Sequence, residues 1–320
     1  MNAESAGDIN SQSSEKNVIT DDNENDEESG KISFSDIDVE ELNFNHCRIR
    51  KLENLSELTN IQRLYFRWNL IKKIENLESL TLLTELELYD NQITKIENLD
   101  TLINLEMLDL AFNRITEING LNNLKNLKKL FLSSNKISKI ENLANLENLE
   151  LLELGDNKIR KIEGIATLIN LKSLYFGKNK IKIIENMDTL INLKTLSLQA
   201  NRLTKIENLD KLVNLEELYL SENGIEKIEN LQNNLEMTTL DLAYNKIINI
   251  ENLNHLELLT DLWLNNNNIA LWKNIDDLFV NKKLDTLYLE HNPLATTADY
   301  RRKVKLALPQ LKQLDATLLR

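Results

Sequence analysis

The sequence predicts an α/β solenoid of twelve repeats, each about 22 residues long, with a parallel sheet on the concave side and a helical cap at the C-terminus. A polar residue returns at a fixed interval, the residues before it alternate between apolar and polar, and those after it are apolar at every third position. Alternation is typical of a short strand, whereas steps of three are typical of a tight turn-and-helix return. One such unit cannot bury its own apolar face, but a stack of units can.

The segment 86–105, LELYDNQITKIENLDTLINL, shows the repeating unit most clearly. Its one inward-pointing polar residue is Asn91. We interpret this asparagine as structural, because its amide can bond backbone groups that a tight loop would leave unpaired. The apolar residues follow first the strand pattern and then the three-residue steps: Leu86, Leu88, Ile93, Ile96, Leu99, Leu102 and Leu105.

The inward polar position forms a column along the chain. It starts at Cys47, for which we expect a structural role, and continues as asparagine: Asn69, Asn91, Asn113, Asn135, Asn157, Asn179, Asn201, Asn223, Asn245, Asn267 and, after a spacing of 25, Asn292. The string KIENL recurs at Lys73, Lys95, Lys139, Lys205 and Lys227. With the pattern LxxLxLxxNxI before it, this unit resembles the leucine-rich repeat in its 22-residue variety, which implies a leucine-rich-repeat solenoid.

We divide the chain into a disordered acidic tail at 1–31, a leucine-rich-repeat solenoid at 32–297 and a C-terminal leucine-rich-repeat cap at 298–320. The tail has nine acids against two lysines and few apolar residues, so burial cannot offset the entropy cost of ordering it. The whole chain has a net charge of −13. This sign argues against nucleic acid as a partner, because phosphate contacts need a basic face.

Composition also indicates a compartment. The first ten residues lack the apolar core of a secretory signal, and no run approaches the roughly 18 apolar residues of a membrane span. The single cysteine excludes a disulfide framework within the chain and favours a reducing environment. We therefore expect a soluble intracellular protein without a membrane partner.

Both ends of a solenoid must be sealed. At the C-terminus the segment 298–316 predicts a helix capped by Asp299, followed by a strand-like segment, and the extra residues before Asn292 predict a helix at 275–280. The apolar residues expected to cover the two ends are Val304, Leu306 and Leu308 at the C-terminus and Ile32, Phe34 and Ile37 at the N-terminus.

The residue inventory argues against an enzyme. The histidines are His46, His255 and His291, and the first and last lie eleven strands apart, about 50 Å at ~4.8 Å per strand. No glycine pair forms a phosphate-cradling loop, and no hydrolase motif or paired-cysteine metal spacing occurs. We expect no catalytic residue, no metal and no cofactor.

The residue between the two strand leucines turns outward onto the concave face. Six of the twelve are aromatic and four are acidic, which predicts a binding surface for a protein with basic and apolar groups. Strand propensity of aromatics is the alternative explanation. Small residues two positions on would let a partner approach, and Trp68, Phe112 and Tyr244 would lie at the rim. The column is Asn43, Tyr65, Glu87, Asp109, Phe131, Glu153, Tyr175, Ser197, Tyr219, Asp241, Trp263 and Tyr288.

The repeat, the acidic tail and the ending YLEHNPLATTADYRRKVKLALPQLKQLDAT together resemble the leucine-rich-repeat regulatory subunit of protein phosphatase 1, the regulatory subunit 7 family, over residues 36–320. The resemblance implies that the concave face binds the phosphatase catalytic subunit and controls its activity or maturation. It also implies a second phosphatase inhibitor as a partner, and residence in nucleus and cytoplasm. The contact residues it implies are Asp109, Phe131, Glu153, Tyr175, Asp241, Asp261, Trp263 and Tyr288.

Other interpretations stay open. Lys31-Ile32-Ser33-Phe34 resembles the short docking motif of many phosphatase-1 partners, although Ile32 and Phe34 also suit a seal for the first repeat. A leucine-rich-repeat adaptor of a cytoskeletal, axonemal or splicing complex is the alternative function. A GTPase activator built on repeats is less favoured, because it would need longer repeats and a catalytic side chain at a repeat edge.

Overall fold

The strands of the protein follow one another across a single sheet. The computed structural model describes residues 30–319, so the predicted acidic tail lies outside the described residues up to residue 29. Each of the twelve repeats contributes one three-residue strand: β1 (Glu41–Asn43), β2 (Arg63–Tyr65), β3 (Glu85–Glu87), β4 (Met107–Asp109), β5 (Lys129–Phe131), β6 (Leu151–Glu153), β7 (Ser173–Tyr175), β8 (Thr195–Ser197), β9 (Glu217–Tyr219), β10 (Thr239–Asp241), β11 (Asp261–Trp263) and β12 (Thr286–Tyr288).

The sheet is parallel and in constant register. The central leucine of each strand pairs with the central leucine of the next, as Leu42 does with Leu64. After β12 come β13 (Gln313–Leu314), which is parallel to it, and β14 (Thr317–Leu318), which turns back antiparallel. Within the described residues this makes one 14-stranded sheet in sequence order. The predicted solenoid with a parallel sheet is confirmed.

The return segments on the convex side are turns in most repeats. In the second repeat Leu77, Leu80 and Leu83 are fully buried. The N–H of Leu80 donates to the Leu77 carbonyl at 3.0 Å, and the N–H of Leu83 donates to the Leu80 carbonyl at 3.1 Å. The prediction of a helical return was therefore wrong for these repeats, because successive turns already bury every third residue without forming a helix.

The asparagine column ties neighbouring turns together. Asn157 accepts a hydrogen bond from the Ile137 N–H at 2.9 Å. Its amide donates to the carbonyls of Leu132 at 2.9 Å and Leu154 at 3.1 Å. Cys47, at the head of the column, donates its thiol to the Asn45 carbonyl at 3.3 Å. The predicted structural role of the column is confirmed.

A second asparagine column, at the last residue of the KIEN string, was not predicted. Its backbone is left-handed, with φ near +60°, a conformation that asparagine and glycine tolerate best. Gly120 and Gly164 occupy the equivalent position in two repeats, with φ of +67° and +69°. The members whose amide donates to a carbonyl 24 residues earlier are Asn76, Asn98, Asn142, Asn186, Asn208, Asn230 and Asn252.

At the C-terminus, α1 (Lys273–Asp276) runs into a 3₁₀ turn (Asp277–Val280), as the longer repeat predicted, and a second 3₁₀ turn (Pro293–Thr296) follows β12. Helix α2 (Tyr300–Ala307) then covers the last turn. The Asp299 side chain makes no cap hydrogen bond, so that prediction was wrong; only its carbonyl is used, accepting from the Lys303 N–H at 2.9 Å.

The apolar seals are partly as predicted. Val304 and Leu308 are fully buried, but Leu306 is 73% exposed. Leu306 comes two residues after Val304, and this spacing places it on the opposite face of α2. At the N-terminus Ile32 is buried and Phe34 packs against the core. This contact favours the seal over a free docking motif. Ile37 lies in a bend before β1 and is 52% exposed, so the prediction that it covers the N-terminal end of the solenoid was wrong.

Candidate functional site

The third residues of β1 to β12 form a continuous row of side chains on the concave face. We call this row the ridge. Parallel pairing aligns them directly, as Asp109 with Phe131 and Phe131 with Glu153. Seven of the eight predicted contact residues belong to the ridge, and Asp261 is the first residue of β11. They fall into two groups: Asp109, Phe131, Glu153 and Tyr175 on β4 to β7, and Asp241, Asp261, Trp263 and Tyr288 on β10 to β12.

The ridge is less exposed than strand alternation suggested. Glu87, Asp109, Ser197 and Asp241 are buried, with Asp241 only 3% exposed. Adjacent strands are about 4.8 Å apart, so an aromatic ring on one strand covers a shorter side chain on the next. The acids are therefore partly shielded from water by the aromatic residues of the ridge.

Asp241 shows this cover most clearly. Tyr219 and Trp263 lie on the strands to either side of it, and their ring centroids are 6.3 Å apart. Trp263 also meets Tyr288 edge to face at 6.1 Å. Tyr219 is in the ridge but outside the predicted contact set, and its contact with Trp263 makes it part of the same surface.

Burial changes the ionisation of the ridge acids. It raises the pKa of Asp109 to about 6, although the Ala111 N–H donates to the Asp109 carboxylate at 2.9 Å and opposes the rise. Burial likewise raises the pKa of Glu153 and of Asp241, against opposing hydrogen bonds. Removing a carboxylate from water disfavours its charged form. The ridge acids therefore take up protons more readily than exposed acids do.

In the described part of the chain, two ion pairs lie on this face near its N-terminal end, Arg63 with Glu41 at 2.7 Å and Arg67 with Glu87. The Arg67 guanidinium donates to Glu87, with an Nη2–Oε1 distance of 2.7 Å, and its Nε contacts the second carboxylate oxygen. Burial raises the pKa of Glu87, and the Arg67 charge opposes that rise. The pair neutralises Glu87, whereas Asp109, Glu153 and Asp241 have no such ion pair within the described chain.

The concave face as a whole is acidic. Its outward positions are the first and third residues of each strand and the second residue after the strand. Over the twelve repeats these hold nine carboxylates against the three cations Arg63, Arg67 and Lys129. The nine are Glu41, Glu85, Glu87, Asp109, Glu153, Glu217, Asp241, Asp261 and Glu290. Such a surface favours a partner with basic groups.

The rim beside the ridge carries more aromatic contacts than the sequence predicted. Trp68 and Phe112 are exposed there, as expected. Trp68 stacks on His46 with centroids 4.3 Å apart and meets Tyr89 at 5.6 Å. Tyr89 in turn contacts Phe112 at 4.9 Å. The 22-residue period predicted Trp68 and Phe112 at the rim but not the Tyr89 ring between them.

Other kinds of site are not evident in residues 30–319. No group of three or more His, Cys, Asp or Glu residues is arranged to hold a metal ion there, and none of the helices described has the length and apolar character to cross a membrane. A shallow groove of about 630 Å³ runs along the edge where the strands begin. Its lining is polar: Lys128, Asn148, Glu150, Asn170, Lys172, Asn192, Lys194 and Asn214.

Comparison with known proteins agrees with this architecture. The family description "Leucine Rich repeats (2 copies)" matches residues 103–145 and 191–233, and "Leucine-rich repeat" matches residues 217–320. The chain belongs to the leucine-rich-repeat family. Among solved structures, internalin InlF of Listeria monocytogenes is 25% identical, with a TM-score of 0.71 over 90% of this chain and 91% of its own. The Leptospira interrogans protein LIC12759 is 26% identical, with a TM-score of 0.68 over 81% and 73%.

Curated relatives of this leucine-rich-repeat chain match a shorter stretch. The protein phosphatase 1 regulatory subunit SDS22 of Schizosaccharomyces pombe is 51% identical over 61 residues, 18% of this chain and 18% of its own length. Protein phosphatase 1 regulatory subunit 7 of Homo sapiens is 51% identical over 49 residues, 15% and 14% of the two lengths. The resemblance to this regulatory family is confirmed over that stretch, which spans less than a fifth of either relative.

Proposed function

We propose that this chain is a non-enzymatic regulatory subunit that binds the catalytic subunit of protein phosphatase 1 on its concave face. The relatives just described carry the printed name of regulatory subunits of that phosphatase. Control of phosphatase activity belongs to the same proposal and rests on that name. A second phosphatase inhibitor and residence in nucleus and cytoplasm are proposed from the resemblance alone.

The ridge is the observation that carries the proposal. It places Phe131, Tyr175, Trp263 and Tyr288 half-exposed among low-lying acids on a rigid parallel sheet. Large aromatic side chains whose neighbours exclude water are the usual anchors of protein interfaces. Twelve strands at ~4.8 Å extend the face to about 50 Å, which suits a folded domain rather than a small ligand.

The charge of the concave face indicates the chemistry of the partner. The excess of carboxylates over cations on this face attracts a basic surface and speeds its encounter. Glu153 lies between Phe131 and Tyr175 in register, so a cation bound there would sit between two rings. An Arg or Lys side chain of the phosphatase, bonded to Glu153 and packed on these rings, is the contact we propose.

A calorimetric titration of the purified phosphatase catalytic subunit tests the proposal. Glu153→Gln keeps the shape of the ridge and removes one charge, so we expect about tenfold weaker binding, equal to about 1.4 kcal/mol. Asp156→Asn is the matched control, because it removes an exposed carboxylate from the rim of the same repeat. The control should bind within about twofold of the wild type.

Two results would contradict the proposal. One is an absence of binding by the wild-type chain at micromolar concentrations. The other is an equal loss of affinity in Glu153→Gln and Asp156→Asn, which would move the contact from the ridge to the rim. Co-purification of a cytoskeletal or splicing complex without phosphatase would favour the adaptor function instead.

A further inference from the structure

The edge of the sheet where the strands end carries a row of cations. The row is formed by the cations that follow Cys47 and the structural asparagines of the fourth to eighth repeats: Arg48, Arg114, Lys136, Lys158, Lys180 and Arg202, which we call the basic edge. Leu70 and Gln92 separate the first two members, and Lys246 holds the same position two turns beyond the last. All six members are exposed except the partly buried Lys180. A backbone ladder fixes their spacing, since the N–H of Lys136 and of Lys158 each donates at 2.8 Å to a carbonyl of the preceding turn.

The basic edge lacks carboxylate partners. Within residues 30–319 none of its six side chains forms an ion pair. Two glutamates nearby pair with lysines of a neighbouring column, Glu75 with Lys73 at 3.7 Å and Glu141 with Lys139 at 2.6 Å. Further cations lie beside the row on the first two turns, at Arg50 and Lys72.

The opposite edge of the sheet differs in this respect. Its lysines on the same turns are already paired at 2.7 to 2.9 Å: Lys128 with Glu106, Lys172 with Glu150, and Lys194 with Glu216. The concave face between the edges has more acids than cations. Within residues 30–319 the basic edge therefore offers an acidic segment five cations without ion pairs on successive turns, from Arg114 to Arg202.

The chain itself supplies a segment of the required chemistry. Residues 21–28, DDNENDEE, contain six carboxylates and no cation. Gly30, two residues later, lies against the carbonyl of Arg48, so closely that a side chain there would overlap it. The acidic segment thus joins the described structure at the first member of the basic edge.

We propose that residues 21–28 bind the basic edge of the same molecule. The distance is sufficient, because nine extended residues from Gly30 back to Asp21 span about 30 Å at ~3.3 Å each, and Lys180, six turns away from Arg48, lies about 29 Å along the stack. The proposed contact leaves the ridge open. This inference is independent of phosphatase binding, because it concerns a different face.

Zero-length carbodiimide cross-linking of the full-length chain, read by mass spectrometry, tests the contact. It joins lysine amines to carboxylates in direct contact. At about 10 mM salt, where screening extends to about 30 Å, we expect links within one molecule from residues 21–28 to Lys136, Lys158 and Lys180. At about 1 M salt, where screening falls to about 3 Å, these links should be lost.

Two charge variants give the sharpest comparison. The triple variant Arg114→Gln, Lys158→Gln and Lys180→Gln weakens the basic edge but keeps Lys136 as a reporter, so its link to residues 21–28 should fall several-fold. The control variant Lys128→Gln, Lys172→Gln and Lys194→Gln removes the same charge from the opposite edge and should leave the Lys136 link unchanged. Equal falls in both variants, links between molecules, or no link beyond the first two turns would overturn the proposal.

Discussion

Tyr219 and Trp263 are two strands apart in the sheet, yet their ring centroids lie only 6.3 Å from each other, on either side of Asp241. The backbones that carry them are separated by about 10 Å, so both rings lean toward the aspartate between them. Asp241 is left 3% exposed, and the Ala243 N–H donates to its carboxylate at 3.0 Å. The ring pair and the buried carboxylate are therefore one unit.

Removing one of these rings should change the ionisation of the aspartate. Burial raises the pKa of Asp241. In Tyr219→Ala water reaches the carboxylate, so its pKa should fall toward the ordinary value of about 3.9. A carbon-13 NMR titration of the aspartate carboxyl signals measures this. Tyr175→Ala is the control, because Tyr175 does not neighbour Asp241. An equal fall of the Asp241 pKa in both variants would contradict the claim that Tyr219 shields Asp241 from water.

Asp109 gives a prediction for stability. Its pKa of about 6 in the folded chain exceeds the ordinary value of about 3.9, so between these pH values the folded chain holds a proton that the unfolded chain has lost. Its contribution to the free energy of unfolding therefore falls as pH rises through this window. Above pH 6 the cost of the buried charge is fully present.

Asp109→Asn removes that charge and keeps an acceptor for the Ala111 N–H. We expect the free energy of unfolding to rise by about 3 kcal/mol at pH 7, and the gain to vanish near pH 4. Urea denaturation at several pH values measures the difference. Asp156→Asn removes an exposed carboxylate and should show almost no pH-dependent gain. A variant Asp109→Asn that is less stable than the wild type at pH 7 would refute this account of the burial.

The structural asparagine column gives a third prediction. Asn157→Ala leaves the Ile137 N–H buried without a partner, whereas the Leu132 carbonyl still accepts from the Asn135 amide at 3.1 Å, so we expect a loss of about 2 kcal/mol of unfolding free energy. Asn170→Ala is the matched control, because that exposed amide makes one hydrogen bond, to the Glu147 carbonyl. The control should lose about 0.5 kcal/mol or less. Equal losses in chemical denaturation would contradict the assigned role.

The sequence predicted the register of the sheet because a strict 22-residue period aligns every strand with its neighbour. The alignment of Asp109 with Phe131, and of Trp263 with Tyr288, followed from that period alone. The burial of Asp241 did not, since alternation assigns a side chain to a face but says nothing of how far its neighbours lean. That information lies in rotamers, which no spacing rule contains.

The exceptions at the ends have a similar cause. Leu306 and Ile37 are apolar residues at positions without a fixed period, so composition assigned them to the core although both are exposed. The second asparagine column was overlooked for the opposite reason. Its KIEN string was visible, but the left-handed backbone that makes asparagine or glycine favourable there is apparent only in the folded chain.

The central claim is that the ridge binds the phosphatase catalytic subunit, and Trp263→Ala tests it most directly. Calorimetric titration should show at least about thirtyfold weaker binding, or about 2 kcal/mol, with the melting temperature of the solenoid nearly unchanged. Tyr244→Ala, which removes a 55% exposed ring from the rim, should bind as the wild type does. Unchanged affinity of Trp263→Ala for the phosphatase would contradict the claim.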